Sequence, residues 1–518
     1  PYHLSGQIKK AEDLVLMNPK AFKGMYNIDA RTNSEVLSID RENKEVEVKN
    51  LISGETYKES YDKLILSPGA RAIVPPIPGI EKANTFVVKN VVDIDKLNKF
   101  IHEVNPSRIT VIGGGFIGIE VMENLTEAGH KVSLVEALPQ VLNQFDDDMV
   151  QILHKEIMDN GVELVLGDKV TAFDTNKVIL ASGKEIISEV VVMSIGIVPE
   201  TGLAKQADLE LGKTGAIKVD SNFLTNDPDI YAVGDAIEVY NILSQDTFKL
   251  SLAGPALKQA RAVADHIHGH PIRNTGYIGS SVVKVFNYNA AATGLNEKML
   301  ADLNIEYGWV EIIPFDRVGI MPHSEALGFK VIFEKPTGRV LGAQAIGHGN
   351  VDKRVDVIAT AIKFGATVDH LRDLELCYAP PFGTGKDAVN FAGYVASNIL
   401  HGSFKQVSMS QVRELVESDA YILDVREMYE YDVAHIKNTK IIPLSELRDR
   451  YTEIPKDVPV YIHCRSGQRS YNAVLALQQK GYSHVFNISG GFLGVCAYEY
   501  FNDVTLGREP IVTSYGLK

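Results

Sequence analysis

Short apolar runs alternate with amphipathic stretches over much of the chain, and this pattern predicts strands and helices in turn. Residues 109–112 form a buried-strand run, a helix follows through about Ala128, and residues 132–135 form a second strand. A strand–helix–strand order implies a parallel sheet. Residues 188–195 predict a further strand and residues 255–268 a further helix. The first half of the chain is therefore predicted to be α/β.

From about residue 275 the pattern changes to longer alternating strands, which indicates a separate α+β domain. The strands are predicted at 281–286 and 307–313, and helices at 351–364 and 387–399. A short polar stretch at 401–406 predicts a linker. The last segment, 409–518, again alternates helix and strand. An α/β domain is therefore predicted at the end of the chain.

Composition narrows the class of protein. The chain has 518 residues, which predicts three or four domains, and its 45% hydrophobic and 23% charged residues are ordinary for a globular protein. The formal net charge is −14, so we expect no bulk attraction to nucleic acid or to an anionic membrane surface. No apolar run reaches the roughly 18 residues that a membrane span requires. An anionic ligand would need a local basic site.

The three cysteines, Cys377, Cys464 and Cys496, are too few and too scattered for a disulfide scaffold or a zinc site. We therefore predict a reducing, cytoplasmic location and no metal centre. Asp146, Asp147 and Asp148 are predicted to begin a helix as an N-terminal cap.

A glycine-rich turn follows the strand at 109–112. Gly113 permits a tight turn, Gly115 lets the backbone approach a pyrophosphate, and Gly118 allows close contact between helix and strand. Such a turn alone could be only a packing feature. Here Glu136 ends the next strand, where it can bind ribose hydroxyls and repel a 2′-phosphate. The sequence predicts a dinucleotide site with NADH favoured over NADPH, although Lys131 could bind a 2′-phosphate.

Further motifs resemble those of the pyridine nucleotide-disulfide oxidoreductases. Residues 225–235 are similar to the second FAD fingerprint of that family, and residues 64–70 resemble its short strand-and-turn motif between the FAD and NAD regions. Residues 252–256 resemble the stretch that passes beneath the flavin, and these motifs stand in the family's order. Gly196 matches a family glycine near NAD. The resemblance implies that FAD is bound by Ser67, Pro68, Gly69, Gly234, Asp235, Leu252, Ala253 and Gly254, with Asp235 on the ribityl chain.

The family also needs a first glycine-rich FAD turn, an acidic FAD-ribose residue and, in some branches, a redox cysteine near Gly-Leu-Pro-Tyr. Residues 1–6 resemble the end of that stretch. We therefore expect the natural protein to be longer by roughly 40 residues, the size of a strand–helix–strand start, and to carry its redox cysteine there. A polypeptide beginning at Pro1 is expected to bind flavin poorly or to fold poorly.

Residues 376–382, together with Lys386 and Asp387, resemble a segment of the coenzyme A-disulfide reductases. In that group the tyrosine that matches Tyr378 comes from the partner subunit of a homodimer and reaches the active cysteine. Without the resemblance, Tyr378 would be interpreted as a core aromatic before a proline-rich turn. Cys377 is predicted to be a small apolar filler.

Cys464 follows an apolar strand and begins the run Cys-Arg-Ser-Gly-Gln-Arg-Ser. The loop amides, the next helix N-terminus, Arg465 and Arg469 would favour a nucleophilic thiolate. A Cys-x₅-Arg phosphatase would need arginine at position 470, where Ser470 stands. The loop resembles that of the rhodaneses, in which Asp424 and Arg426 would be supporting groups. Cys496 is predicted to pack in the core.

The resemblance covers essentially the whole chain and implies a coenzyme A-disulfide reductase-like flavoprotein fused to a rhodanese domain. The implied fold has two doubly wound nucleotide-binding domains, an α+β dimerisation domain and an α/β rhodanese domain. The implied bounds are 1–90 with 217–272 for FAD, 91–216 for NAD, 273–400 for dimerisation, 401–408 for a linker and 409–518 for rhodanese.

The implied activity is NADH-dependent reduction of coenzyme A disulfide, coenzyme A persulfide or polysulfide, with Cys464 carrying sulfane sulfur. One alternative is an NADH oxidase or peroxidase of the same superfamily. The other is a non-enzymatic redox sensor or sulfur-binding flavoprotein.

Overall fold

The structure is a computed structural model that describes residues 1–517 and divides into two compact units. The first unit comprises residues 1–137 and 168–279, and the second comprises residues 138–167 and 280–518. Each unit combines helices with several sheets.

The predicted dinucleotide region of the first unit is built on parallel strands. Their order in the sheet is Thr85–Val87, Val190–Met193, Arg108–Ile112 and Lys131–Glu136. Central strands of a parallel sheet are buried on both faces, which explains the continuous apolar runs in the sequence. The helices of the first unit are Pro19–Tyr26, Val91–Val104, Phe116–Glu127, Gly202–Gln206 and Ala253–Ile267.

The region predicted to bind FAD contains a two-stranded parallel sheet, Leu64–Leu66 with Ile230–Ala232. The first unit also contains small antiparallel sheets. Their strands are Ser34–Asp40, Glu45–Asn50 and Thr56–Ser60; Val170–Asp174, Lys177–Leu180 and Glu185–Ile187; Ala70–Ala72 with Ile197–Pro199; and Glu238–Asn241 with Asp246–Lys249. Short 3₁₀ turns lie at Ala11–Leu14, Ile80–Lys82 and Gly234–Ala236. A buried apolar cluster that includes Leu66, Ile230 and Val263 joins the FAD-region strands to the helix Ala253–Ile267.

In the second unit, residues 280–400 form an antiparallel sheet with helices, as the sequence predicted. The strand order is Ser280–Val285, Tyr288–Gly294, Val340–Gly347, Leu327–Glu334 and Tyr307–Ile312. The helices are Glu297–Asp302, Val351–Lys363, Val368–Asp373 and Ala388–Leu400. The inserted residues 138–167 add the helix Asp147–Asp159 and the strand Glu163–Leu166.

The end of the chain is a parallel sheet flanked by helices. The strand order is Lys405–Val407, Val485–Ile488, Val460–His463, Tyr421–Asp424 and Lys440–Ile441. The helices are Val412–Glu417, Met428–Val433, Leu447–Arg450, Gln468–Gln479 and Gly491–Leu506, with 3₁₀ turns at Met409–Gln411 and Tyr451–Glu453. Two buried apolar clusters hold this α/β region together. Cys496 is fully buried in one of them, as predicted, and burial raises the pKa of its thiol to about 12.

Candidate functional site

The glycine-rich turn has the geometry of a dinucleotide-binding turn. Gly113 has a φ of +107°, and a Cβ there would lie 2.4 Å from the Ser194 carbonyl oxygen. A Cβ on Gly118 would lie 1.9 Å from the Gly113 carbonyl oxygen, whereas the space beside Gly115 is open. The helix Phe116–Glu127 begins directly after Gly115. The turn therefore fits a pyrophosphate on its backbone amides.

Glu136 lies beside this turn. Its carboxylate accepts a hydrogen bond from the Gly114 amide at 2.6 Å, and the residue is half-buried at the end of its strand. Gly196 has a φ of +118° and lies two residues after Ser194. The carbonyl of Ser194 packs on Gly113. The structure thus brings together the predicted NAD residues of three separate segments.

The predicted FAD segments also meet. The Val233 amide donates to the Leu66 carbonyl, so the turn Ser67-Pro68-Gly69 and the turn Gly234-Asp235 leave neighbouring strand ends. The Gly234 amide donates to the Gln259 side chain at 2.7 Å. Gln259 belongs to the helix Ala253–Ile267, whose N-cap is Leu252 and whose first two residues are Ala253 and Gly254.

Asp235 forms an ion pair with Lys89 at 2.7 Å. These strand ends and the helix N-terminus converge, so these segments fit the part of an FAD site that they supply, apart from the first glycine-rich turn that the family also needs.

Tyr378 lies on the loop between the helices Val368–Asp373 and Ala388–Leu400, and it is 53% exposed. An ion pair between Arg354 and Asp387, 3.2 Å apart and nearly inaccessible to solvent, closes the end of this loop. Tyr378 is therefore not a core aromatic. Cys377 is exposed as well, so the prediction that it is an apolar filler is wrong. The loop projects from the helices, and a cysteine on it has no core to fill.

Cys464 directly follows the strand Val460–His463, and its residue is only 1% exposed. Its sulfur accepts hydrogen bonds from the Gly467 amide at 3.2 Å and from the Ser470 hydroxyl at 3.5 Å. The helix Gln468–Gln479 begins at the end of this loop. Donors directed at one sulfur atom stabilise negative charge on it, whether it is a thiolate or a persulfide.

The segment that begins the last helix supports the Cys464 loop from behind. The amides of Phe492 and Leu493 donate to the carbonyls of Cys464 and Arg465, at 2.8 and 3.0 Å. A Cβ on Gly491 would lie 2.6 Å from the Cys464 carbonyl oxygen, so only glycine allows this close approach. The loop is therefore held rigidly.

The two arginines of the loop have different partners. Arg469 forms a two-pronged ion pair with Glu430, at 2.6 and 2.8 Å. The hydrogen bond from Arg469 lowers the pKa of the Glu430 carboxyl, and the same bond raises the pKa of Arg469. Arg465 is exposed, and its guanidinium lies 5.7 Å from the centre of the Phe315 ring. Sequence reasoning missed both Glu430 and Phe315, which are remote from Cys464 along the chain.

Asp424 and Arg426 are supporting groups, in agreement with their predicted role. Their side chains form a buried ion pair at 2.7 Å, and Arg426 also donates to the Ala434 carbonyl at 2.8 Å. The His463 ring lies 3.6 Å from Asp424. This group lies behind the strand end that carries Cys464.

A buried charged cluster in the second unit was also missed. The ammonium of Lys330 is inaccessible to solvent and pairs with Asp146 at 3.1 Å, with Asp148 at 2.7 Å and with Glu297. These three carboxylates lie as close together as metal ligands do, but the lysine supplies the cation. Asp146 occupies the N-cap position without bonding the helix amides, so the predicted capping role of its side chain is wrong. The buried ammonium attracts it instead.

Comparisons with known proteins define the class of protein. Residues 3–260 match the pyridine nucleotide-disulphide oxidoreductase family, residues 280–388 match its dimerisation domain, and residues 408–498 match the rhodanese-like domain. The coenzyme A disulfide reductase of Staphylococcus epidermidis is 32% identical over 402 residues, which are 76% of this chain and 90% of that protein. The chain therefore belongs to the pyridine nucleotide-disulphide oxidoreductases, and it is an FAD- and NAD(H)-dependent enzyme with a rhodanese domain.

Two solved structures resemble nearly the whole chain. Reduced Bacillus anthracis CoADR-RHD is 45% identical, with a TM-score of 0.93 over 96% of this chain and 90% of that one. An NAD-dependent persulfide reductase from A. fulgidus is 32% identical, with a TM-score of 0.90 over 96% and 92%. The predicted fold class and enzyme class are confirmed. In residues 1–517, no helix combines the length and apolar character needed to cross a membrane.

Proposed function

We propose that this enzyme uses NADH to reduce coenzyme A disulfide, coenzyme A persulfide or polysulfide, and that Cys464 relays sulfane sulfur. The observation that carries the proposal is the presence, in one chain, of a dinucleotide turn and a cysteine cradle. The cradle directs the Gly467 amide and the Ser470 hydroxyl at the Cys464 sulfur. The chain as a whole is similar to CoADR-RHD and to a persulfide reductase, in each case over 96% of its length. This similarity supports a coenzyme A disulfide, coenzyme A persulfide or polysulfide substrate.

The nucleotide residues have distinct parts in this proposal. Gly115 lets the backbone bind the NADH pyrophosphate, while Gly113 and Gly118 allow the tight turn and the close helix–strand contact that shape this site. Glu136 binds the NADH ribose, and Gly196 lies near NAD. FAD is held by Ser67, Pro68, Gly69, Gly234, Asp235, Leu252, Ala253 and Gly254. Bound FAD would supply the acceptor for the hydride of NADH and pass the electron pair on to sulfur.

The rhodanese part transfers a neutral sulfur atom. The Cys464 thiolate attacks the outer sulfur of a donor such as thiosulfate, the S–S bond of the donor breaks, and sulfite leaves with the electron pair. The product is a Cys464 persulfide anion, which the Gly467 and Ser470 donors stabilise. Arg465 and Arg469 bind or balance negative charge beside it.

We also propose a homodimer in which Tyr378 reaches the partner's active centre. The dimerisation-domain match over residues 280–388 and the exposure of Tyr378 support this arrangement. In this proposal, FAD is bound by residues 1–90 with 217–272 and NADH by residues 91–216. Residues 273–400 form the dimerisation domain, 401–408 the linker and 409–518 the rhodanese domain. Three free cysteines support a reducing, cytoplasmic location.

A second candidate function is an NADH oxidase. A water-forming NADH oxidase from Lactobacillus brevis is 26% identical, with a TM-score of 0.73 over 77% of this chain. That similarity leaves nearly a quarter of the chain unmatched. In addition, the reduction of oxygen does not require a loop that carries sulfur. We therefore favour the disulfide and persulfide substrates.

A steady-state screen of the flavin-loaded enzyme tests the proposal. NADH oxidation is measured with coenzyme A disulfide, coenzyme A persulfide, polysulfide, peroxide and oxygen as separate acceptors. We expect the highest kcat/KM with one of the sulfur substrates. A higher value with oxygen or peroxide would favour the oxidase, and no turnover with any acceptor would favour a sensor.

A further inference from the structure

Arg465 and Arg469 both follow Cys464 closely in the chain, but the partners of their guanidinium groups differ. Glu430 occupies Arg469 with two hydrogen bonds. No carboxylate in residues 1–517 forms an ion pair with Arg465, whose contact is the face of Phe315. A guanidinium that lies over a ring at cation–π distance still has its N–H edges available for an anion. Arg465 is therefore the arginine of this loop that is prepared to bind a charged substrate.

Phe315 lies outside the rhodanese-like match, in the segment between the strands Tyr307–Ile312 and Leu327–Glu334. Its backbone forms an antiparallel bridge with Ala326, and the neighbouring Asp316 amide donates to the Glu325 carbonyl at 2.9 Å. The buried side chain of Arg354 donates to the Asp316 carbonyl at 2.9 Å. These bonds fix the segment that presents the ring.

The same segment is anchored to the support of the Cys464 loop. A Cβ placed on Gly490 or Gly494 would lie 3.6 or 3.7 Å from the Ile313 side chain, so this side chain packs on the segment behind the cysteine. The segment that carries Phe315 therefore packs against the segment that supports the loop of Arg465. A long arginine side chain that is already held in place loses less conformational entropy when it binds a ligand.

We propose that Phe315 is a positioning residue for Arg465, and that this pair gives the Cys464 loop its preference for sulfur donors that carry an anionic group. The anion is the sulfonate of thiosulfate or a phosphate of coenzyme A persulfide. The inference rests on the proposed sulfur-transfer function. It makes Phe315, a residue of the dimerisation domain, part of the substrate site around Cys464.

The test compares F315L, which removes the ring, with F315Y, which keeps it. We expect F315L to raise the KM for thiosulfate about two- to fivefold at nearly unchanged kcat, the range that an exposed cation–π contact implies. F315Y should restore the KM. A neutral donor such as diallyl trisulfide should be used equally by all three proteins. F364L is a matched control, because Phe364 is 83% exposed on the same domain.

A double-substitution cycle separates positioning from general damage. In an R465A background, F315L should have no further effect on the thiosulfate KM, because the residue that it positions is gone. Additive effects of the two substitutions, a KM in F315L that is unchanged for both anionic donors, or an equal loss with the neutral donor would overturn the proposal. A shift with coenzyme A persulfide but not with thiosulfate would assign the phosphate as the anion.

Binding provides a readout that is independent of turnover. Calorimetry of thiosulfate with the C464S chain should give a Kd that F315L raises by the same two- to fivefold factor. If the unsubstituted enzyme transfers no sulfur but F315L still weakens binding, the proposed function fails and the positioning role stands. If F315L leaves both the Kd for thiosulfate and the KM for coenzyme A persulfide unchanged, the positioning role fails.

Discussion

The guanidinium of Arg469 and the carboxylate of Glu430 meet edge to edge, with both N–H···O distances below 3 Å. Glu430 lies on the short helix Met428–Val433, whereas Arg469 lies in the first turn of the helix that follows the Cys464 loop. The pair therefore ties two separate helices together beside the reactive sulfur. It also keeps a positive group near Cys464, and the hydrogen bond to Glu430 is the main cause that raises the pKa of Arg469.

Glu430→Gln should weaken this arrangement without removing the arginine. An amide offers one acceptor in place of two charged oxygens, so we expect kcat/KM for thiosulfate to fall about tenfold, equivalent to roughly 1.4 kcal/mol. Asp432→Asn on the same helix is the matched control, because Asp432 is exposed. Equal activities of the two variants in a steady-state assay would show that the pair is only structural.

Cys464→Ser should abolish sulfur transfer from thiosulfate or persulfide. Serine at neutral pH is a far weaker nucleophile than a thiolate held by the Gly467 and Ser470 donors. Flavin reduction by NADH should be nearly unchanged, because it takes place at the nucleotide sites. Cys496→Ser at a buried position is not a suitable control, so Cys377→Ser at an exposed position is used. Loss of NADH-to-dye activity in Cys464→Ser would contradict the proposal that flavin reduction and sulfur transfer are separate steps.

Glu136→Ala should narrow the preference for NADH over NADPH. In the proposed role, the carboxylate beside the Gly114 amide would repel a 2′-phosphate and would accept hydrogen bonds from the ribose hydroxyls. We expect kcat/KM with NADH to fall about tenfold, and that with NADPH to fall less or to rise. The measurement is steady-state kinetics of the flavin-loaded enzyme with both nucleotides. Equal use of NADPH by the unsubstituted enzyme would exclude the assigned role.

Lys330→Met should lower the free energy of unfolding by about 3–5 kcal/mol, because it leaves buried carboxylates without their cation. Lys330 is inaccessible to solvent and holds Asp146, Asp148 and Glu297. Urea denaturation with a probe for the second unit measures the loss. Lys298→Met, at an exposed position next to Glu297, is the control and should change stability by less than about 0.5 kcal/mol.

Local patterns predicted the sites that lie on one continuous segment. The turn with Gly113, Gly115 and Gly118 needs only a strand before it and a helix after it. The hydrophobic periodicity of the sequence predicts both elements. The Cys464 loop is identified in the same way, by a strand, a short polar run and a helix. These parts were predictable because their geometry is set by nearest neighbours in the chain.

The missed features depend on contacts between distant segments. Phe315 meets Arg465 across about 150 positions, and periodicity carries no information on such a pairing. Asp146 offered a good capping residue by local rules, but the buried ammonium of Lys330 competes for its carboxylate. Tertiary electrostatics overrides local capping preference at such a site.

Glu311 provides a pH-dependent contribution to stability. It is the cross-strand neighbour of Lys330, and the Ser489 hydroxyl donates to its carboxylate at 3.2 Å. Burial is the main cause that raises the pKa of Glu311 to about 8, with Asp148 and Glu297 adding to the effect and Lys330 opposing it. The folded protein therefore binds the proton of Glu311 more tightly than the unfolded chain does.

The unfolded chain releases that proton near pH 4.5, and the folded protein releases it near pH 8. Between these values the folded state holds more protons, so stability from this group falls as pH rises and levels off above about pH 8. One group contributes a slope of at most about 1.4 kcal/mol per pH unit. Glu311→Gln removes the titration and keeps an acceptor for Ser489, so its stability relative to the unsubstituted protein should rise between pH 5.5 and pH 8. Urea denaturation across that range measures the difference, with Glu306→Gln at an exposed position as the control. A difference that is constant with pH would show that Glu311 does not titrate in this window.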